Sequence, residues 1–186
     1  ATLPVVFQNV RIYDAENLAF RDAMTVVVQD GRISAVSPAA SANVPAQAVV
    51  YQGQGRTLVP GLWDSHQHYG NDDTGPLLLS QGITSVRDPG NNPESAPARQ
   101  RRIEQGEILG TRIVPSMLID GVGPNAAQTA VPVRNREEAV AAIRRARAEN
   151  YFGVKLYGSL DPAWVAPMAQ EARRLGLRVH GHIPRG

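Results

Sequence analysis

The sequence has 186 residues, 42% of them hydrophobic and 19% charged. This is a globular balance that excludes a disordered chain and leaves room for one domain, or a small domain with part of a larger one. Nineteen basic against seventeen acidic residues give a net charge of +2, and the densest basic stretch, Arg99, Arg101 and Arg102, has no interleaved aromatics, so no nucleic-acid partner is expected. There are no cysteines, which rules out disulfides and thiolate metal sites and leaves His, Asp, Glu or a modified Lys as candidate ligands.

No apolar run approaches the roughly 20 residues that span a bilayer, so no membrane partner is expected. The first residue is Ala rather than Met. Removal of a signal peptide fits this and favours a periplasmic or secreted location over the cytoplasm, although simple trimming of the chain fits as well.

Three alternating stretches open the chain: Val5 to Tyr13, Met24 to Gln29 and Arg32 to Val36. Asp30-Gly31 between the last two is a hairpin signal, because both positions accept positive φ. Val49 to Tyr51 reads as a further strand. Residues 1–57 therefore read as a small β layer, and residues 58–186 as a second domain with a strand, loop, helix rhythm. Its strands are expected at 58–64, 83–88, 111–119, 154–157 and 177–182. Helices are expected from Leu77 to Gln81, from a Ser95 cap to about Leu109, from an Asn135/Glu138 capping box, and from Asp161-Pro162 to Gly176.

This alternation predicts an α/β fold with parallel strands and helical crossovers. The absence of Gly-x-Gly-x-x-Gly after the first of these strands weakens a dinucleotide-binding sheet. Polar residues gather instead at the C-terminal ends of the strands: Asp64 to His68, Arg87-Asp88, Lys155, His180 and His182. Barrels build their active sites at that end. The expected architecture is thus the N-terminal part of a (β/α)8 barrel, about five of eight strands, preceded by a β segment.

His66 and His68 flank Gln67, and residues two apart on an extended chain point the same way, so both imidazoles can reach one ion. Two loop histidines are the plain alternative. Asp64 is placed to accept a ring N–H and fix a tautomer. Lys155 read alone is a lysine snorkelling at a strand end. His180 and His182 share a strand face, with two structural histidines as the plain alternative. All four histidines fall in these two clusters. Arg87 and Asp88 either orient substrate or pair with each other, Asp88 being the more structural of the two. Tyr69, Tyr157 and the loop through Asn125 are candidate pocket walls. The run Arg144, Arg145 and Arg147 reads as a solvated helix face.

The segment Leu58-Val59-Pro60-Gly61-Leu62-Trp63-Asp64-Ser65-His66-Gln67-His68 resembles the strand-one motif of the amidohydrolase superfamily, and Gly82 to Asp88 resembles its second strand. The opening β stretch is similar to the family's accessory β-sandwich, which the far end of such chains completes. The resemblance is nearest to the imidazolonepropionase-like and prolidase-like branch. It implies a hydrolase of small molecules with C–N bonds, in cyclic amides, dipeptides and acylated amino acids. It implies divalent metal, with zinc first and manganese, iron or cobalt compatible. It implies ligands at His66, His68 and His182, with Lys155 carbamylated and bridging two ions, His180 one step deeper, and Asp64, Arg87 and Tyr157 around the site.

Two family features, a histidine after strand six and an aspartate after strand eight, have no counterpart in these residues. The chain is therefore expected to be an incomplete piece, completed by its C-terminal half or another chain, or associating with copies of itself. The rival expectations are a mononuclear deaminase of the same superfamily, which generally lacks the lysine, a scaffold of the same fold without chemistry, and a half-barrel binding module.

Overall fold

The opening β segment and the mixed segment that follows it form separate units in the computed structural model, Ala1–Pro60 and Gly61–Gly186. The structure describes residues 2–185.

The first unit is one mixed sheet. Its strands are β1 (Val5–Asp14), β2 (Ala19–Gln29), β3 (Arg32–Pro38), β4 (Val49–Gln52) and β5 (Thr57–Leu58). The order is β3-β2-β1-β4, with β5 also on β1. Asp30 and Gly31 turn β2 into β3 with φ of 50° and 72°, the primed-turn geometry that the dipeptide predicts. Val6, Val10, Met24, Val26 and Val27 are buried. Among the described residues this unit is a single layer; the second layer of a sandwich is not among them.

The second unit is a parallel sheet of β6 (Leu62–Asp64), β7 (Ile83–Asp88), β8 (Arg112–Asp120), β10 (Gly153–Leu156) and β11 (Arg178–Gly181), in the order β11-β10-β8-β7-β6. This is the expected half-barrel succession. A two-residue strand, β9 (Val131–Pro132), adds to β8 and lies in what the sequence reads as loop. Among the described residues β6 and β11 each have one strand neighbour.

Four helices, α1 (Thr74–Ser80), α2 (Ser95–Glu104), α3 (Arg136–Ala148) and α4 (Pro162–Arg174), make the crossovers. Asn135 caps α3, its Oδ1 accepting from Glu138 N at 2.8 Å, but the return bond of the expected box shifts by one residue: Glu138 Oε2 accepts from Arg134 N at 2.8 Å, before the cap, rather than from Asn135 N. Asp161 caps α4, accepting from Ala163 N at 2.8 Å. Ser95 does not cap α2. Asn92 Oδ1 does so, accepting from Glu94 N and Ser95 N, and α2 ends at Glu104 rather than near Leu109. Asn71 serves α1 in the same way through Thr74 N.

The main core lies between the sheet and α3 and α4. It contains Met117, Ile119, Ile143, Val154, Leu156, Leu160 and Met168. Alternation along β8 and β10 sends those strand residues to the helix side and turns Ser116, Leu118 and Lys155 to the opposite face. A second cluster of Tyr69, Leu78, Val86 and Ile113 packs the β7 end.

Candidate functional site

His66 and His68 lie just beyond β6, in irregular backbone rather than on an extended strand. Their rings nevertheless meet edge to face, with centroids 5.2 Å apart. His68 Nδ1 is 2.6 Å from the carbonyl oxygen of Gly90. A carbonyl only accepts, so Nδ1 carries the proton and the Nε2 lone pair is left for a ligand. Gly90 is itself held by its N–H to Asp88 Oδ1 at 3.1 Å.

Asp64 does not reach an imidazole. Its Oδ1 accepts from the His66 backbone N at 2.9 Å, which fixes the turn that carries the histidines. The His66 ring is pushed toward its neutral form, first by desolvation and then by the positive charges of Lys155, His68 and Arg87, against a smaller pull from Asp64.

Arg87 and Asp88 do not pair, because adjacent residues of a strand face opposite sides. Arg87 Nε donates to Ser65 O at 2.7 Å, closing the other side of the His66 turn. Asp88 is buried and accepts from Tyr69 N and Asn91 Nδ2 as well as Gly90 N, so its role is structural.

Lys155 is 4% exposed. In register it sits beside Leu118 of β8 and His180 of β11. Among the described residues no carboxylate lies within 4.0 Å of its Nζ. Desolvation, and then Arg87, lower its pKa, with Asp88 opposing. Its Nζ lies 5.3 Å from the centroid of the Tyr157 ring.

His180 Nε2 is 2.8 Å from Ser116 Oγ. Desolvation first, then Arg87, Lys155 and His66, lower its pKa to about 4, so the ring is neutral near pH 7. His182 is anchored by its backbone N–H to Leu156 O at 3.0 Å, and its exposed ring lies 4.3 Å from the Tyr157 ring. It borders an open cavity of about 750 Å³ lined by Asn125, Ser159, Arg185 and the backbone of Gly158 and Gly181.

The predicted residues thus fall into two linked groups. His66, His68, Arg87, Lys155 and His180 are electrostatic neighbours. His182 joins them through Tyr157, whose ring lies near both His182 and Lys155. Among the described residues no three His, Cys, Asp or Glu side chains are gathered closely enough to hold an ion. His182 is therefore not drawn into one set with the His66–His68 pair. The donor chemistry still suits a divalent ion: two imidazoles biased to the neutral form or carrying a fixed tautomer, and a buried amine without a carboxylate partner.

Sequence reasoning missed the carbonyl of Gly90, the hydroxyl of Ser116 and the carboxylate of Asp120. Only the last left a signal, an Asp-Gly pair at a strand end. Pro89-Gly90 was legible only as a strand stop.

No protein-family model matches the chain. It is 29% identical over 125 residues to an imidazolonepropionase of Ectopseudomonas mendocina, covering 63% of this chain and 31% of that protein. Among solved structures it is similar to a candidate prolidase from Bifidobacterium longum, with a TM-score of 0.82 and 24% identity over 97% of this chain and 49% of the other. It is similar also to phenylurea hydrolase B, with a TM-score of 0.80 and 21% identity over 96% and 55%. The chain spans about half the length of these structures and about a third of the curated relative. The chain carries the fold that these hydrolase structures have over about half of their length.

Proposed function

We propose that the protein carrying this chain is a metal-dependent hydrolase of C–N bonds, and that this chain supplies the first part of its metal centre. The observation that carries the reading is Lys155: a buried amine with a lowered pKa and, among the described residues, no ion-pair partner, on the sheet face opposite the apolar core and beside His66 and His180. A structural lysine finds a carboxylate or reaches solvent. The neutral form of a lysine amine is a nucleophile toward carbon dioxide, and a lowered pKa brings that form within closer reach. Its nitrogen forms the new C–N bond, one proton leaves, and the resulting carbamate offers two oxygen donors.

In this reading His66, His68 and the carbamate of Lys155 would hold one divalent ion, with zinc favoured by the imidazole donors, and the carbamate and His182 would hold a second. Ions bound there supply Lewis-acid polarisation of a carbonyl and activation of water. Gly90 O fixes the His68 tautomer. Ser116 holds the His180 ring in place. Arg87 ties the turn after β6 to β7.

The likeness to imidazolonepropionase and phenylurea hydrolase B supports C–N substrates: cyclic amides, dipeptides and N-acyl amino acids. The test is hydrolysis of a panel of these compounds by the full-length protein that contains this chain. Activity should vanish on chelation and return with added zinc. Full activity after chelation would overturn the reading.

A further inference from the structure

We propose that Asp120 is a positioning residue that sets the wall of the cavity beside His182. The side chain is fully buried and ends β8. Its carboxylate accepts three backbone N–H bonds from three places. Oδ1 accepts from Gly121 N at 2.9 Å and from Ser159 N at 2.8 Å, and Oδ2 accepts from Ala127 N at 2.8 Å. Gly121 opens the loop after β8, Ala127 is its middle, and Ser159 belongs to the turn after β10. A buried carboxylate persists only when donors replace its hydration, and bonds to a charged acceptor are about twice as strong as neutral ones.

The chain at Gly121 is built for the same junction. A Cβ there would lie 1.9 Å from Ser159 O, so loop and turn meet backbone to backbone. The Asp120 backbone also closes the far end of the loop, accepting from Val133 N at 2.9 Å. The pinned segments carry Asn125 on one side and Gly158 and Ser159 on the other, and these line the cavity that His182 borders. One carboxylate therefore fixes two walls of this cavity to each other, and through Gly158 and Ser159 holds the turn that follows Tyr157, the ring against which His182 rests. The assignment does not depend on any bound metal.

The test is Asp120→Asn in the full chain without added metal, followed by amide hydrogen exchange and histidine ring signals in NMR. Asn keeps the size but replaces one acceptor oxygen with a donor. Exchange at Ala127 or Ser159 should accelerate at least tenfold, the His182 ring signal should shift, and exchange at Val86 and Ile143 should stay as it was. Unchanged exchange at Ala127 and Ser159, or equal acceleration at all four amides, would overturn the assignment. Should Asp120→Asn fail to fold, Ala127→Pro removes a single donor from the loop. The His182 and Asn125 side-chain signals should then shift while Val86 and Ile143 keep their exchange rates, and unmoved signals would overturn the assignment.

Discussion

The two faces of the parallel sheet are built on opposite principles. On the helix side, Met117, Ile119, Val154 and Leu156 pack with Ile143, Leu160 and Met168 into a closed apolar layer. On the other side, the same strands turn out Ser116 and Lys155, with His180 from β11 beside them and Arg87 from β7 as a charged neighbour. The first face removes apolar area from water, and its cost of disruption is the cost of a cavity. The second face lowers the pKa of a buried amine and of a half-buried imidazole, which does nothing for stability and favours the forms in which both groups are donors. Stability and chemistry are thus separated by a strand period of two.

That separation can be broken from either side. Ile143→Ala should destabilise the chain most, by about 2–5 kcal/mol in urea titrations, because Ile143 is fully buried in the helix-side layer. Its zinc affinity, measured where the variant is folded, should match that of the parent. His68→Ala should do the reverse. It should weaken zinc binding about 100-fold or more by calorimetry, beyond the range for loss of a supporting group, with a urea midpoint close to the parent because the His68 ring is largely exposed.

A smaller effect sharpens the helix side. Asn135→Ala removes the α3 cap and should cost about 1 kcal/mol. The smallest concerns the link between α3 and α4, where Glu171 pairs with Arg144 at 2.6 Å and Arg174 at 2.8 Å. Hydrogen bonds from Arg174 and then Arg144 hold its pKa at about 2, against 4.5 for the free side chain. A depressed carboxylate pKa adds stability above pH 4.5, which is lost as pH falls through 2. The difference in melting temperature between the parent and Glu171→Gln should therefore shrink from pH 5 to pH 2, and shrink also in high salt. A difference that grows on acidification would contradict this.

Much of the architecture was legible because its signals are local. Asn135 with Glu138, Asp161 with Pro162, and Asp30 with Gly31 each act within four residues, and each starts the helix or makes the turn that its spacing predicts. The caps at Asn71 and Asn92 were not read. They sit in loops, outside the apolar periodicity that marks a helix, and Ser95 was the more visible candidate. At the site, the residue types were legible and the partners were not. Asp64 serves a backbone N–H instead of a ring, and the ring of His68 is held by a carbonyl 22 residues away. Arg87 and Asp88 separate because neighbouring strand residues cannot face the same side. Asp120 falls between the expected strand and the loop that follows it, and its role depends on Ser159, 39 residues later. Contacts of that kind are set by topology, and a sequence pattern does not carry them.

The most direct test of the account is Lys155→Met in the full chain, with zinc content and urea stability measured side by side. The parent should bind stoichiometric zinc. The variant should lose zinc at the Lys155 centre while its metal-free stability holds or rises, because an apolar side chain of similar length replaces a buried amine with no ionic partner among the described residues. Unchanged zinc content together with a large loss of stability would show that Lys155 serves the fold, and would contradict the central claim.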